Sequence, residues 1–155
     1  MPFTVTGLSP EPFRSLFGLG AAALAERGVL RVRVEAPASA PCRITLEDAE
    51  PGETVLLLNH EHLAVDTPYR SRHAIYVREI ATEKAVVEDA LPPALEARLL
   101  ALRAFDGADM MLEAEVVEGR AAAPLIEAWL SDPKVAYLHA HFARRGCFAA
   151  RIDRR

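Results

Sequence analysis

Lysine is nearly missing from this chain of 155 residues: of its 18 basic residues only Lys84 and Lys134 are lysines, the rest being arginine. The basic residues are scattered and are outnumbered by 22 acidic ones, so no stripe exists that would neutralise a run of phosphates, and nucleic acid is not an expected partner. Cysteine is scarce as well. Cys42 and Cys147 allow one disulfide at most, which excludes a disulfide-stapled secreted scaffold and suits thiols kept reduced in the cytoplasm. No apolar run approaches the ~20 residues that cross a bilayer. The opening MPFTVTGL has neither the basic segment nor the apolar stretch of a signal peptide, so the expected location is cytoplasmic, with no membrane partner. Repeats, low-complexity tracts and linkers are also missing.

What remains is ordinary globular composition, 51% hydrophobic and 26% charged. The length suits a single domain over 1–155, able to bury roughly 70% of its unfolded surface without a staple. Phe3 to Thr6 alternates as a short strand. Ser9-Pro10-Glu11 then supplies a cap, a first-turn proline and a first-turn acid for a helix to about Phe17, and Ala21 to Arg27 closes on Gly28 as a second helix. From Val29 the period becomes two. Leu30, Val32 and Val34 face away from Arg31, Arg33 and Glu35, and Cys42, Ile44 and Leu46 alternate with Arg43, Thr45 and Glu47, which predicts two half-buried strands.

The continuous apolar run TVLLLN after Pro51-Gly52 predicts a strand covered on both faces, in the middle of a sheet. A loop HEHLAVDTPYRSR leads to the strand HAIYVRE. Ala94, Leu95, Arg98, Leu99 and Leu102 fall at helical spacing, which predicts a third helix over Pro92 to Leu102. Arg103 to Phe105 and MMLEAEVVEG flank a turn as hairpin partners, a fourth helix runs from Ala121 to Leu130, and VAYLHAHF with CFAARI forms a last hairpin. Short connections between strands favour antiparallel pairing. The predicted fold is α+β, a mainly antiparallel sheet with about four short-to-medium helices packed on it.

Four of the five histidines form two His-x-His pairs, His60/His62 and His139/His141. Residues i and i+2 of a strand share a face, so each pair can present two imidazoles to one divalent metal such as zinc, and Asp66 after the first pair completes a candidate set His60, His62, Asp66. The spacing overlaps that of cupin and two-histidine phosphoesterase motifs. The later Pro-x-Gly and His of a cupin are missing, however, and His62 and His141 occupy the positions where a phosphoesterase needs hydroxyls. The bland alternative is that the histidines line a solvated face or begin a polar loop. His139, His141, His73 and Cys147 are the acid-base and nucleophile candidates; Arg43, Arg151, Tyr137 and Cys42 are the ligand-binding ones. The final hairpin has two possible registers: a three-residue loop sets His141 opposite Cys147 and Tyr137 opposite Arg151, whereas a four-residue loop sets His141 opposite Phe148.

Read together, the blocks PCRITLEDAEPGETVLLLN, TPYRSRHAIYVRE, LLALRAFD and VAYLHAHFARRGCFAARIDR resemble the uncharacterised bacterial family catalogued as domain of unknown function 1203. The resemblance implies a small single-domain bacterial protein and carries over no catalytic residue. Two functions fit the residues. One is a small-molecule-binding or enzymatic domain with a His/Cys/Arg-lined pocket for an anionic or carbonyl ligand. The other is a non-catalytic interaction module, a homo-oligomer or protein binder, using apolar strands and the helix that carries Trp129.

Overall fold

The run TVLLLN forms the middle of a sheet as its apolar continuity predicts. In the computed structural model, which describes residues 1–155, it belongs to β3 (Thr54–Leu63), flanked by β2 (Leu30–Arg33) and β4 (Ser71–Arg78). The remaining strands are β1 (Phe3–Thr6), β5 (Val86–Glu88), β6 (Leu99–Phe105), β7 (Met111–Glu118), β8 (Tyr137–Phe142) and β9 (Phe148–Arg154). They make a six-stranded sheet in the order β5-β1-β9-β8-β6-β7, and all strand pairings in both sheets are antiparallel. The α+β expectation therefore holds, with the antiparallel strands divided between two sheets.

The main core lies on one face of the larger sheet. Leu100, Leu102 and Ala104 of β6 and Leu138, Ala140 and Phe142 of β8 point into it, beneath α3 (Ala123–Leu130), whose Ile126 and Leu130 are fully buried. Trp129 packs against this core. On the opposite face, the end of β3 and the β3–β4 loop reach across, bringing Leu63, Val65 and Tyr69 onto Phe105 and Tyr137. A second core fills one side of the smaller sheet, where Leu56, Leu58, Ile75 and Val77 meet Phe13 and Leu24. Leu24 belongs to α1 (Ala21–Ala25), which ends before Gly28 at φ +68°, the left-handed position expected there.

Several elements differ from the sequence reading. The first helix is a 3-10 turn over Glu11–Leu16, although Ser9 Oγ still accepts the Glu11 N–H at 3.3 Å. The long third helix is absent: α2 spans Pro93–Glu96 alone, and Leu99 onwards is the strand β6. Apolar residues on both faces of an interior strand satisfy helical spacing as readily as a helix does. Cys42 to Leu46 is not a strand but a tight turn. Cys42 Sγ accepts the N–H groups of Ile44 and Thr45, and Leu46 takes φ +55°. Leu30, expected inward, is 60% exposed because β2 is an edge strand.

Candidate functional site

The turn at Cys42 to Leu46 brings a charged group into the interior. Arg43 N–H donates to Tyr76 O and Leu8 N–H donates to Arg43 O, tying the turn to β4 and to the end of β1. Gly7 makes this approach possible: a Cβ there would lie 2.2 Å from Ile44 O. So held, the Arg43 side chain is 2% exposed. It donates from Nε to Phe148 O at 2.7 Å, from Nη1 to Pro41 O at 2.6 Å and from Nη2 to Cys147 Sγ at 2.9 Å. No carboxylate pairs with it. Burial pulls the guanidinium below its ordinary value, the sulfurs of Cys147 and Cys42 oppose that, and Arg98 adds to it.

Arg43 and Cys147 line a cavity of about 360 Å³, together with Arg98, Arg144, Arg145 and Tyr76. Three separate segments supply its cations. Arg98 follows α2 and is paired with Asp48 at 2.7 Å, while Arg144 and Arg145 sit in the β8–β9 turn and have no carboxylate partner within 4.0 Å. The guanidinium carbons of Arg43 and Arg98 both lie over the Phe142 ring, 4.8 and 5.2 Å from its centroid. Glu118 also lines the space. Set against Arg43, Arg98, Arg144 and Arg145, the carboxylates Asp48 and Glu118 leave a formal excess of two positive charges, which a dianion would neutralise.

The hairpin that supplies Cys147 settles its register with a bulge. Phe142 N–H donates to Cys147 O across a four-residue turn closed by Gly146 at φ +77°, and His141 lies opposite Phe148. One extra residue then shifts the ladder, so that His139 faces Arg151. The bulge keeps Phe148 and Arg151 on the histidine face and sends Cys147 to the other. Cys147 thus meets Arg43, not His141.

On the histidine face three imidazoles converge. His62 lies 5.0 Å from His141 and 6.1 Å from His139, ring centroid to centroid, and stacks on Phe148 at 5.1 Å. His141 Nδ1–H donates to Gly146 O at 3.0 Å, while Nδ1 of His62 and of His139 are buried without a partner. Burial is the main cause that pushes His139 and His141 down to about 3 and His62 to about 4. For His139 the neighbouring imidazoles lower it further, and for His141 the Gly146 bond opposes the shift. Arg103, on the same face, is also lowered by burial and has no ion-pair partner. The three imidazoles and Phe148 form an aromatic layer between the two sheets, with Arg103 beside it.

The other predicted residues stand apart. His60 and His62 lie within β3 rather than in a loop. His60 turns toward Phe13, and Asp66 is fully exposed beside Arg70, so the set His60, His62, Asp66 does not gather. No three His, Cys, Asp or Glu side chains group closely enough to hold an ion. His73 is exposed on β4 opposite His60. Tyr137 donates its hydroxyl to Asp109 at 2.7 Å and carries the Arg151 guanidinium over its ring at 4.1 Å, while Arg151 also pairs with Asp153. Burial first, and then Asp109, raises the Tyr137 phenol. Cys42 is a structural acceptor, receiving a third N–H from Arg78 at 3.3 Å. Sequence reasoning missed Arg98, Arg144, Arg145 and Tyr76; the pair of arginines just before Gly146-Cys147 was the available signal.

A model of the family described as "Protein of unknown function (DUF1203)" matches residues 39–154. No curated protein and no solved structure matches the chain.

Proposed function

The chain belongs to the DUF1203 family of proteins of unknown function, and from its geometry we propose that it binds a small dianion, such as a phosphate or a dicarboxylate, in the cavity between Arg43 and Arg144-Arg145. One observation carries the reading: Arg43 is buried at the cavity wall without a carboxylate. Taking a guanidinium out of water against carbonyls and a sulfur alone costs several kcal/mol, and an anionic ligand is the group that offsets it. Arg144 and Arg145 at the surface attract and seat that ligand, and Tyr76 lines the same space. The volume lies at the small end of ligand cavities, which suits a metabolite rather than a polymer. A cytoplasmic setting is part of the reading, supported by two free buried thiols.

Thermal unfolding in inorganic phosphate, sulfate and succinate, at constant ionic strength, tests this. An anion at 100 times its Kd stabilises the fold by about 2.7 kcal/mol, which for a domain of this size raises Tm by roughly 5–10 °C. The effect should vanish in R144Q/R145Q. An unchanged Tm in all three anions, or an equal rise in the double variant, refutes the proposal.

A second reading, pairing of two copies through β7, is favoured by one observation: this long edge strand exposes Leu112 and Val116. Opposing it, Glu113 and Glu115 on the same edge would meet their own kind. A monomeric mass in solution at micromolar concentration would remove it.

A further inference from the structure

The two cysteines are held in opposite ways. Cys42 is 1% exposed, lies outside the cavity and accepts three backbone N–H groups, so its sulfur is spent on shaping the turn. Cys147 is 6% exposed, lines the cavity wall, and takes one hydrogen bond from the buried Arg43 guanidinium. An N–H of a cation aimed at sulfur stabilises negative charge there, and the thiolate is the nucleophilic form. The same cavity that admits an anion therefore sets it beside a sulfur that a buried guanidinium contacts at 2.9 Å.

We propose that Cys147 is a nucleophile for anionic electrophiles, meaning small carboxylates or phosphates that carry a carbon with a leaving group. This rests on the anion-binding reading above. The thiol proton passes to water at the open mouth of the cavity. The sulfur electron pair forms the C–S bond, and the bond from carbon to the leaving group breaks with its electrons on the departing atom, so nothing is oxidised or reduced. Once that bond has formed the sulfur carries no charge, and the anionic group of the bound compound becomes the counter-charge of Arg43. Arg144 and Arg145 are positioning residues for that group.

Iodoacetate and iodoacetamide deliver the same carbon with and without a negative charge. Alkylation of the native protein, followed by peptide mass spectrometry, should label Cys147 and leave Cys42 unmodified. The iodoacetate to iodoacetamide rate ratio at Cys147 should exceed that of the same cysteine in the urea-unfolded chain by about tenfold, the lower end of the enhancement that charged clefts give. Inorganic phosphate should slow the reaction. R144Q/R145Q, whose changes lie on exposed side chains, should bring the iodoacetate to iodoacetamide rate ratio at Cys147 down to that of the unfolded chain. If phosphate raises Tm but Cys147 stays unlabelled, anion binding stands and the nucleophile is refuted. If Cys147 is labelled with no charge preference and no anion shifts Tm, the anion reading falls and this proposal falls with it.

Discussion

Lowering the pH from 7.5 to 5.5 should weaken this fold by about 3–4 kcal/mol, because the layer between the sheets is made of imidazoles that stay neutral at pH 5.5 only while folded. His139 and His141, 3% and 2% exposed, are pushed down to about 3, and the half-buried His62 to about 4. In the unfolded chain each titrates near 6.5. The unfolded state therefore binds more protons throughout this window, so stability is fully present above pH 6.5 and falls as the pH drops toward about 3. A histidine that stays neutral when folded loses about 1.4 kcal/mol of stability over these two pH units. His139 and His141 then account for ~3 kcal/mol, and the less buried His62 adds at most ~1. Carboxylates do not confuse the interval, since Glu53 and Glu79 are held below their ordinary value by Arg78 and Arg31 and begin to act only in stronger acid. Urea unfolding followed by far-UV circular dichroism reads the effect as a midpoint lowered by ~1.5–2 M, at a slope near 2 kcal/mol per M. His139→Phe should remove about 1.4 kcal/mol of the pH dependence, whatever it does to stability at neutral pH. A midpoint that stays put between pH 7.5 and 5.5, or a His139→Phe variant with the parent's pH slope, refutes the reasoning.

Three further outcomes follow from other contacts. Gly7→Ala forces a methyl into the space taken by Ile44 O and should cost about 1–3 kcal/mol, read by urea unfolding; a neutral result would show that the turn carrying Arg43 gives way. Glu53→Gln breaks a two-pronged pair with Arg78, both contacts at 2.9 Å and both side chains mostly buried, and should lower stability by about 1–3 kcal/mol at pH 7, a loss that shrinks as the pH falls below the ordinary carboxylate range and the parent carboxylate protonates in turn. Leu102→Ala leaves a cavity beneath α3 and should cost about 2–5 kcal/mol by the same assay, whereas a solvated helix position would cost under 1.

Apolar runs bounded by turn residues were legible in the sequence, and an apolar strand whose spacing also satisfies a helix was not. β3 was readable because TVLLLN is apolar without a break, and β8 with β9 because two such segments flank Arg144-Arg145-Gly146. β6 was hidden by its own success at filling space: Leu99, Ala101 and Phe105 are apolar on the face opposite Leu100, Leu102 and Ala104, so no period of two survives. Cys42 to Leu46 alternates as a strand would, yet a sulfur that accepts the N–H groups two and three residues on turns the chain back. For the site, Arg43 and Cys147 were suspected separately, and only the β9 bulge decides that they meet. Arg98 and Tyr76 were out of reach, since a cavity assembled from segments far apart in sequence leaves no local pattern.

The place of β1 in the six-stranded sheet has a consequence for biosynthesis. Its partners are β5 and β9, so the earliest strand of this fold to be made is held on one side by the latest, and Pro2 O accepts the Arg155 N–H. At synthesis rates of about 5–20 residues per second, roughly 7–30 s pass between the emergence of β1 and that of β9. For that interval Phe3 and Val5, both completely buried in the finished molecule, have no place to go. The larger sheet therefore closes only after β9 has been made, and the smaller sheet, whose strands β2, β3 and β4 are consecutive, is the part that can form before then.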